Sequence, residues 1–409
     1  MTMAVWGAEE RPTITQEKDV PPYRLPDPLI CWDGTAVKDK RTWVEKRRPE
    51  ILKRFEEEVY GRTLVGRPAG MRFVVREEKK GVLGGLGTRW RVGVLFEGKE
   101  DGRKMELLMI LPSRGNLPVP VFLGLNFDGN YTTTIDPDLP VPEHFAMGLF
   151  ANQLTDHKPG KGSRGIHQHQ WPYGYILEKG YGVVTAAYGE IEPDEPERWK
   201  DGVRGMGPEP GDGDWGSLGA WAWGLSRAMD YLWTHPRVDG RRVAVLGFSR
   251  LGKAAVWAAA QDERFAMVIS QQSGAGGVAL NRRLFGEDVE RLTSRLGHGF
   301  TPGFAKFASK ESEMTVDQHE LVALLAPRPI LILSGTTDLW SDPRGEYLGG
   351  RGADPVYRLL GSRGMDSREW PQPSELVNSP IGYYLRPGGH DVTLEDWQAT
   401  IRFADRHLK

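Results

Sequence analysis

Three residues of the 409-residue chain could together perform nucleophilic acyl chemistry: Ser249, Asp338 and His390. A serine hydroxyl attacks a carbonyl only when a base takes its proton. An imidazole serves as that base when a carboxylate orients it and stabilises the imidazolium. Ser249 lies in the run 242–260, Arg-Val-Ala-Val-Leu-Gly-Phe-Ser-Arg-Leu-Gly-Lys-Ala-Ala-Val-Trp-Ala-Ala-Ala. Val243 to Leu246 reads as a buried strand, Gly247-Phe248-Ser249 as a sharp turn, and the residues from Arg250 as an alanine-rich helix. Such a turn holds a hydroxyl above the carboxyl edge of a sheet and aims the first helical N–H groups at an oxyanion. The spacing is not the usual one, because the glycine after the serine is Gly252, three positions on. Taken alone, the segment reads equally well as an ordinary strand–helix turn.

The partners strengthen the chemical reading. Asp338 follows the strand-like Pro329–Ser334, and His390 stands in a Gly-Gly-His turn between Tyr383–Leu385 and a closing helix at Leu394–His407. The order serine, acid, histidine, each after a strand, is a recurrent arrangement for a triad on a parallel sheet. Asp342 is the rival acid but lies farther from its strand end. His167 and His169, at i and i+2, could share a strand face and bind a metal, but no third ligand is evident and no metal is expected.

The elements that must position these residues begin with a proline-rich arm, residues 1–40, lying on the body. A helix is expected over Arg41–Tyr60, interrupted before Pro49 and closed by Gly61. Met71–Glu77, Thr88–Phe96 and Lys104–Leu111 have the patterning of antiparallel strands. Core strands follow at Val119–Leu125, Tyr181–Ala187, Arg242–Leu246, Phe265–Ser270, Pro329–Ser334 and Tyr383–Leu385. Between them come helices at Ser217–His235, Gln318–Leu325 and Pro355–Gly361. The polar loop Asn126–Asn130, at the end of the first core strand, is a place from which an oxyanion donor could come, or a simple turn. Residues 131–170 lack periodicity and read as an insertion of the kind that forms rims or lids. The expectation is α/β: one domain over 41–409, a three-layer sandwich with a mostly parallel central sheet and antiparallel strands at its N-terminal edge.

Composition sets further bounds. A formal charge of -2 gives no electrostatic reason to expect nucleic acid or an anionic membrane as a partner. The single cysteine, Cys31, excludes an internal disulfide and any multi-cysteine metal site, without settling the compartment. No apolar run is long enough to span a bilayer. Residues Met1 to Asp19 have no apolar core of signal-peptide type, so the chain is either cytoplasmic, or secreted or periplasmic after loss of a leader. The 14 tryptophans suit core packing and also stacking on sugar rings.

Several of these segments carry a resemblance. Gly247-Phe-Ser-Arg-Leu-Gly-Lys253, Ser273-Gly-Ala-Gly-Gly277, Asp317-Gln-His-Glu-Leu321 with Ala326-Pro-Arg328, Asp338-Leu-Trp340 and Gly389-His-Asp391 resemble the bacterial glucuronoyl esterases, carbohydrate esterase family 15. The likeness runs from about residue 105 to the end, and the Ser-Arg-x-Gly-Lys run is the most specific part of it. It implies the α/β-hydrolase fold and a metal-free, cofactor-free serine esterase. The substrate implied is an ester of (4-O-methyl-)glucuronic acid on xylan with lignin alcohols, and a monomer is expected. Ser249 would be the nucleophile, His390 the base, Asp338 its orienter and Arg250 the oxyanion donor. Lys253, Glu287, Trp340 and Gln272 would line the uronate site. Two departures stand out: many members carry a glutamate where this chain has Gln272, and a small or polar residue where it has Phe248. The alternatives are an acetyl xylan or other carbohydrate esterase, or a glucuronoxylan-binding homologue with weak catalysis.

Overall fold

Five strands, and the Val243–Phe248 half of a sixth, are buried on both faces, which is why they read as continuous apolar runs and not as alternating ones. The structure, a computed structural model, describes residues 12–115, 117–141 and 161–409. Among the described residues the strands form one ten-stranded sheet, in the order β1-β2-β3-β5-β4-β6-β7-β8-β10-β9. β1 (Arg72–Val82), β2 (Gly87–Leu95) and β3 (Lys104–Pro112) are an antiparallel meander whose third strand pairs antiparallel with β5 (Gly182–Ala187). From β5 the sheet is parallel through β4 (Val119–Asn126), β6 (Val238–Phe248), β7 (Met267–Gln271), β8 (Ile330–Gly335) and β10 (Ile381–Arg386). The two-residue β9 (Leu376–Val377) closes the far edge antiparallel. At the near edge β1 is mostly exposed and carries Arg72, Arg76, Glu77, Glu78, Lys79 and Lys80, charges that discourage pairing with another chain.

The helices Ser217–Leu232, Arg250–Gln261, Gln318–Ala323 and Pro343–Leu359 pack in succession on one face. Tyr173–Glu178 and Leu394–His407 cover the other, where Trp397 meets Phe122 of β4 edge-on, ring centroids 5.4 Å apart. This is the three-layer arrangement expected, with antiparallel strands at the N-terminal edge.

The structure differs from the sequence expectations in several places. Lys40–Thr42, Trp43–Arg47, Arg48–Phe55 and Glu56–Tyr60 follow without interruption, the second and fourth wound as π turns. Pro49 therefore does not break the helix. It stands in the turn directly after the π-wound segment Trp43–Arg47, and a π bulge is one of the ways a helix takes up an irregularity in its hydrogen-bond ladder. The helix expected at Pro355–Gly361 begins much earlier, at Pro343. Its glycines hid it: Gly349 is needed because a Cβ there would come within 1.9 Å of the Val278 carbonyl oxygen. Asp342 caps its N-terminus by accepting from Gly345 N–H. Within the expected insertion 131–170, residues 142–160 lie outside the described residues, as do residues 1–11 of the expected arm. Residues 12–39 run over the body, where the Ile14 carbonyl accepts from Gly286 N–H and Glu17 pairs with Arg283.

The helix behind Ser249 is anchored from the N-terminal side. Trp257 is fully buried and stacks on Tyr60 at 4.6 Å, and Tyr60 Oη donates to the Gly276 carbonyl at 2.7 Å. Replacing Trp257 with alanine should cost about 3–5 kcal/mol of unfolding free energy in urea titrations. A loss below about 1 kcal/mol would mean that this packing does not hold the helix.

Candidate active site

Ser249 follows β6 and precedes the helix Arg250–Gln261 with φ 56° and ψ -128°. A non-glycine residue in that region costs of order 1–3 kcal/mol and persists only where its surroundings enforce it. Here they do. Ser249 N–H donates to the Gln271 carbonyl at 2.9 Å, tying the turn to β7. A Cβ on Gly247 would meet the Leu251 carbonyl oxygen at 2.0 Å, so only glycine lets the chain fold back this tightly. Gly252, the displaced glycine, faces the Gly247 carbonyl at 2.9 Å and Ser273 Cβ at 3.0 Å from its ideal Cβ position. It is the point where the helix closes onto the segment after β7.

The other two candidate catalytic residues lie at neighbouring strand ends. His390 Nδ1 is 2.7 Å from Asp338 Oδ2; Asp338 is buried, whereas the imidazole is 36% exposed. Ser249 and His390 line one cleft of about 330 Å³ together with Arg250, Lys253, Gln272, Glu287, Arg295 and Trp340. No hydrogen bond joins Ser249 to His390 directly, a separation common in resting active sites. Asp342, the rival acid, is engaged elsewhere: its Oδ2 receives Arg283 Nε at 2.8 Å. Phe248 lies against the His390 ring, centroids 4.5 Å apart, so the unusual aromatic residue forms one wall of the imidazole's seat.

Two of the cleft's cations, Lys253 and Arg250, are each held by an acid. Lys253 is buried and its Nζ donates to the Ser273 carbonyl at 2.6 Å and to Glu287 Oε2 at 3.1 Å. Glu287 Oε1 accepts from Trp340 Nε1 at 3.2 Å. Three residues placed far apart in the chain are thus one hydrogen-bonded row. Arg250 pairs with Asp194, whose carboxyl side chain is 4% exposed, accepts from Tyr188 Oη at 2.7 Å and lies 2.8 Å from His298 Nε2. Burial alone would push the Asp194 carboxyl up, but these donors outweigh it and hold it below the usual range. Asp194, His298 and Arg295 were not singled out from sequence. Arg295 stacks over Trp340 at 4.6 Å, and no motif marks it.

The two histidines weighed above as a metal pair have different partners. His167 Nε2 lies 2.7 Å from Asp128, and His169 Nε2 3.2 Å from Asp391. Among the described residues no group of three or more potential ligands is gathered at one point. In the loop after β4, the Asn126 side chain is consumed internally, donating to Asn130 Oδ1 and Thr185 Oγ1, both at 2.9 Å.

Comparison with known proteins places the chain. A family model described as glucuronyl esterase, fungi, matches residues 210–361. The carbohydrate esterase MZ0003, from an unknown prokaryotic organism, is 44% identical over 98% of this chain and 93% of its own length. The chain belongs to the glucuronoyl esterases of carbohydrate esterase family 15. A solved glucuronoyl esterase from Solibacter usitatus superposes with a TM-score of 0.90 at 42% identity, covering 96% of this chain and 100% of that one. A promiscuous family 15 esterase from a marine bacterial metagenome superposes equally well, at 0.90 and 44% identity over 97% of this chain and all of its own. The protein is therefore a carboxylic ester hydrolase of the α/β-hydrolase fold.

Gln272, expected among the substrate-lining residues of this esterase, does border the cleft, but its amide is spent on the backbone of Asp391. Behind it lies Glu346, wholly buried, accepting from Ser334 Oγ at 2.5 Å and Gly274 N–H at 3.1 Å. Burial, reinforced by Asp338 and Asp342, pushes its carboxyl up to about 8. The folded state therefore holds a proton that the unfolded chain releases near 4.5. Stability contributed this way is present below that lower value and is lost as pH rises towards 8. Glu346→Gln should flatten the pH dependence: its melting temperature relative to wild type should climb between about pH 5 and pH 8.5. A constant difference across that window would contradict a neutral Glu346.

Proposed function

We propose that the protein hydrolyses esters of (4-O-methyl-)glucuronic acid, of the kind that link glucuronoxylan to lignin alcohols, through an acyl-enzyme on Ser249. The observation that carries this reading is the row Lys253–Glu287–Trp340, fixed in the same cleft as Ser249 and the His390–Asp338 pair. Relatives named 4-O-methyl-glucuronoyl methylesterase, such as that of Podospora anserina at 33% identity over 78% of this chain, agree with it.

In this mechanism His390 takes the Ser249 proton as the hydroxyl attacks the ester carbonyl. The negative charge that develops on oxygen meets the first N–H groups of the helix Arg250–Gln261 and the Arg250 guanidinium. These donors are in place beforehand, because Asp194 holds the side chain. His390 then protonates the departing alcohol, and water, activated by the same imidazole, releases the uronate. Asp338 accepts from Nδ1–H throughout and stabilises the imidazolium. Lys253 and Glu287 offer a donor and an acceptor to sugar hydroxyls, and Trp340 adds an apolar face.

Hydrolysis of benzyl or methyl glucuronate tests the assignment. Ser249→Ala should lower kcat by at least about 10³-fold and abolish fluorophosphonate labelling. Arg250→Met should lower it by about 10²–10³-fold. Lys253→Met and Trp340→Ala should raise KM for glucuronate esters while leaving p-nitrophenyl acetate turnover within about threefold. A second reading, a carbohydrate esterase of broader tolerance, is favoured by the openness of the His390 side of the cleft to solvent. Acetylated xylan cleaved faster than glucuronate esters would decide for it.

A further inference from the structure

We propose that Gln272 is a positioning residue for His390, and not a ligand of the sugar. The inference rests on the esterase reading above. Gln272 follows β7 directly and is 1% exposed. Its backbone is left-handed, φ 48°, an uncommon state for a long side chain. That conformation is pinned by its N–H, which donates to the Leu333 carbonyl of β8 at 2.7 Å. The side chain then makes two hydrogen bonds to one residue. Gln272 Nε2 donates to the Asp391 carbonyl at 2.9 Å, and Gln272 Oε1 accepts from Asp391 N–H at 3.1 Å.

A primary amide does both at once at any pH. An ionised carboxylate of the same length has acceptors alone and would place a charged oxygen against the Asp391 carbonyl. The amide thus continues β7 by one ladder-like pair, made by a side chain, onto the peptide that follows His390. Other groups finish the hold. Arg386 Nη2 donates to the Gly389 and Asp391 carbonyls at 2.7 and 3.0 Å. His169 Nε2 and Gln170 Nε2 lie 3.2 and 3.1 Å from Asp391 Oδ1. With residue 391 clasped on both backbone atoms, the His390 ring can occupy only the seat between Asp338 and Phe248. At 1% exposure, the second N–H and the second lone pair of this amide have little access to a sugar hydroxyl.

In this chain the imidazolium is stabilised from β8 by Asp338, and the position at the end of β7 serves to set the histidine loop.

The experiment compares Gln272→Met and Gln272→Glu with wild type on methyl glucuronate and on p-nitrophenyl acetate. The second ester reads the serine–histidine machinery without the uronate contacts. Both variants should lose about 10- to 100-fold in kcat on both esters, with KM within about twofold. The low-field proton resonance of the His390–Asp338 hydrogen bond should broaden or vanish, while the melting temperature shows the chain still folded. If Gln272→Met fails to fold, Gln272→Glu, which keeps the acceptor for Asp391 N–H, carries the test. A raised KM confined to methyl glucuronate with kcat kept would make Gln272 a sugar contact and overturn the proposal, as would unchanged kinetics. Failure of the esterase reading is seen separately, as undiminished turnover of both esters by Ser249→Ala.

Discussion

The backbone of Ser249 is the constraint on which the site depends. A serine at φ 56° is tolerable only because Gly247 has no Cβ to strike the Leu251 carbonyl and because the Ser249 N–H is fixed to β7. The strain stored there is small beside the packing that enforces it. It has three consequences at once. The hydroxyl is lifted off the end of β6, the next N–H groups open towards the cleft, and Arg250 and Lys253 leave the same helical turn towards different partners. Arg250 goes to Asp194 and Lys253 to Glu287. Had the second glycine stood two positions after the serine, the helix would have closed on β7 at another point. At Gly252 it closes next to Ser273, whose carbonyl accepts from the Lys253 ammonium.

Around that elbow, charge is arranged so that little must be reorganised during a reaction. Arg250 and Lys253 are already hydrogen-bonded to carboxylates that are themselves held, Asp194 by Tyr188 and His298, Glu287 by Trp340. Side chains ordered in advance spare the entropy of ordering them on binding. The loop of His390 is treated alike: Asp338, Phe248 and the backbone clasp on Asp391 come from β8, β6 and β7, so three strand ends converge on one ring. A parallel sheet makes such convergence possible, since all its carboxyl ends open on one side.

Much of the fold was legible because burial on both faces leaves an apolar run. β4, β7, β8 and β10 were expected within two residues of their ends, and the helix Leu394–His407 at both of its bounds. The misses share a cause. The helix Pro343–Leu359 contains glycines and a proline that local propensity reads as loop, yet close packing against Val278 requires glycine there. The π turns of the N-terminal helix leave no periodic trace. In the candidate site, Ser249, Asp338 and His390 could be singled out from order and context, because each follows a strand. Asp194, His298 and Arg295 could not, because each lies in a loop or on a helix with no motif, and its relevance comes from what it touches.

The sequence by itself determined the strand–turn–helix around Ser249, the succession of acid and histidine after it, and the family likeness carried by Ser-Arg-x-Gly-Lys. Those are local patterns, and hydrophobic periodicity and turn chemistry act over short spans. Only the tertiary structure decided that Asp338, and not Asp342, faces the imidazole, since Arg283 holds Asp342 from a distant segment. Only it separated the two uses of an amide and an ammonium that the sequence had grouped together. Lys253 sits in the row with Glu287 and Trp340, while Gln272 clasps the peptide beside His390. Which partner a polar side chain satisfies depends on groups brought near it from elsewhere in the chain, and that is set by packing, not by its neighbours in sequence.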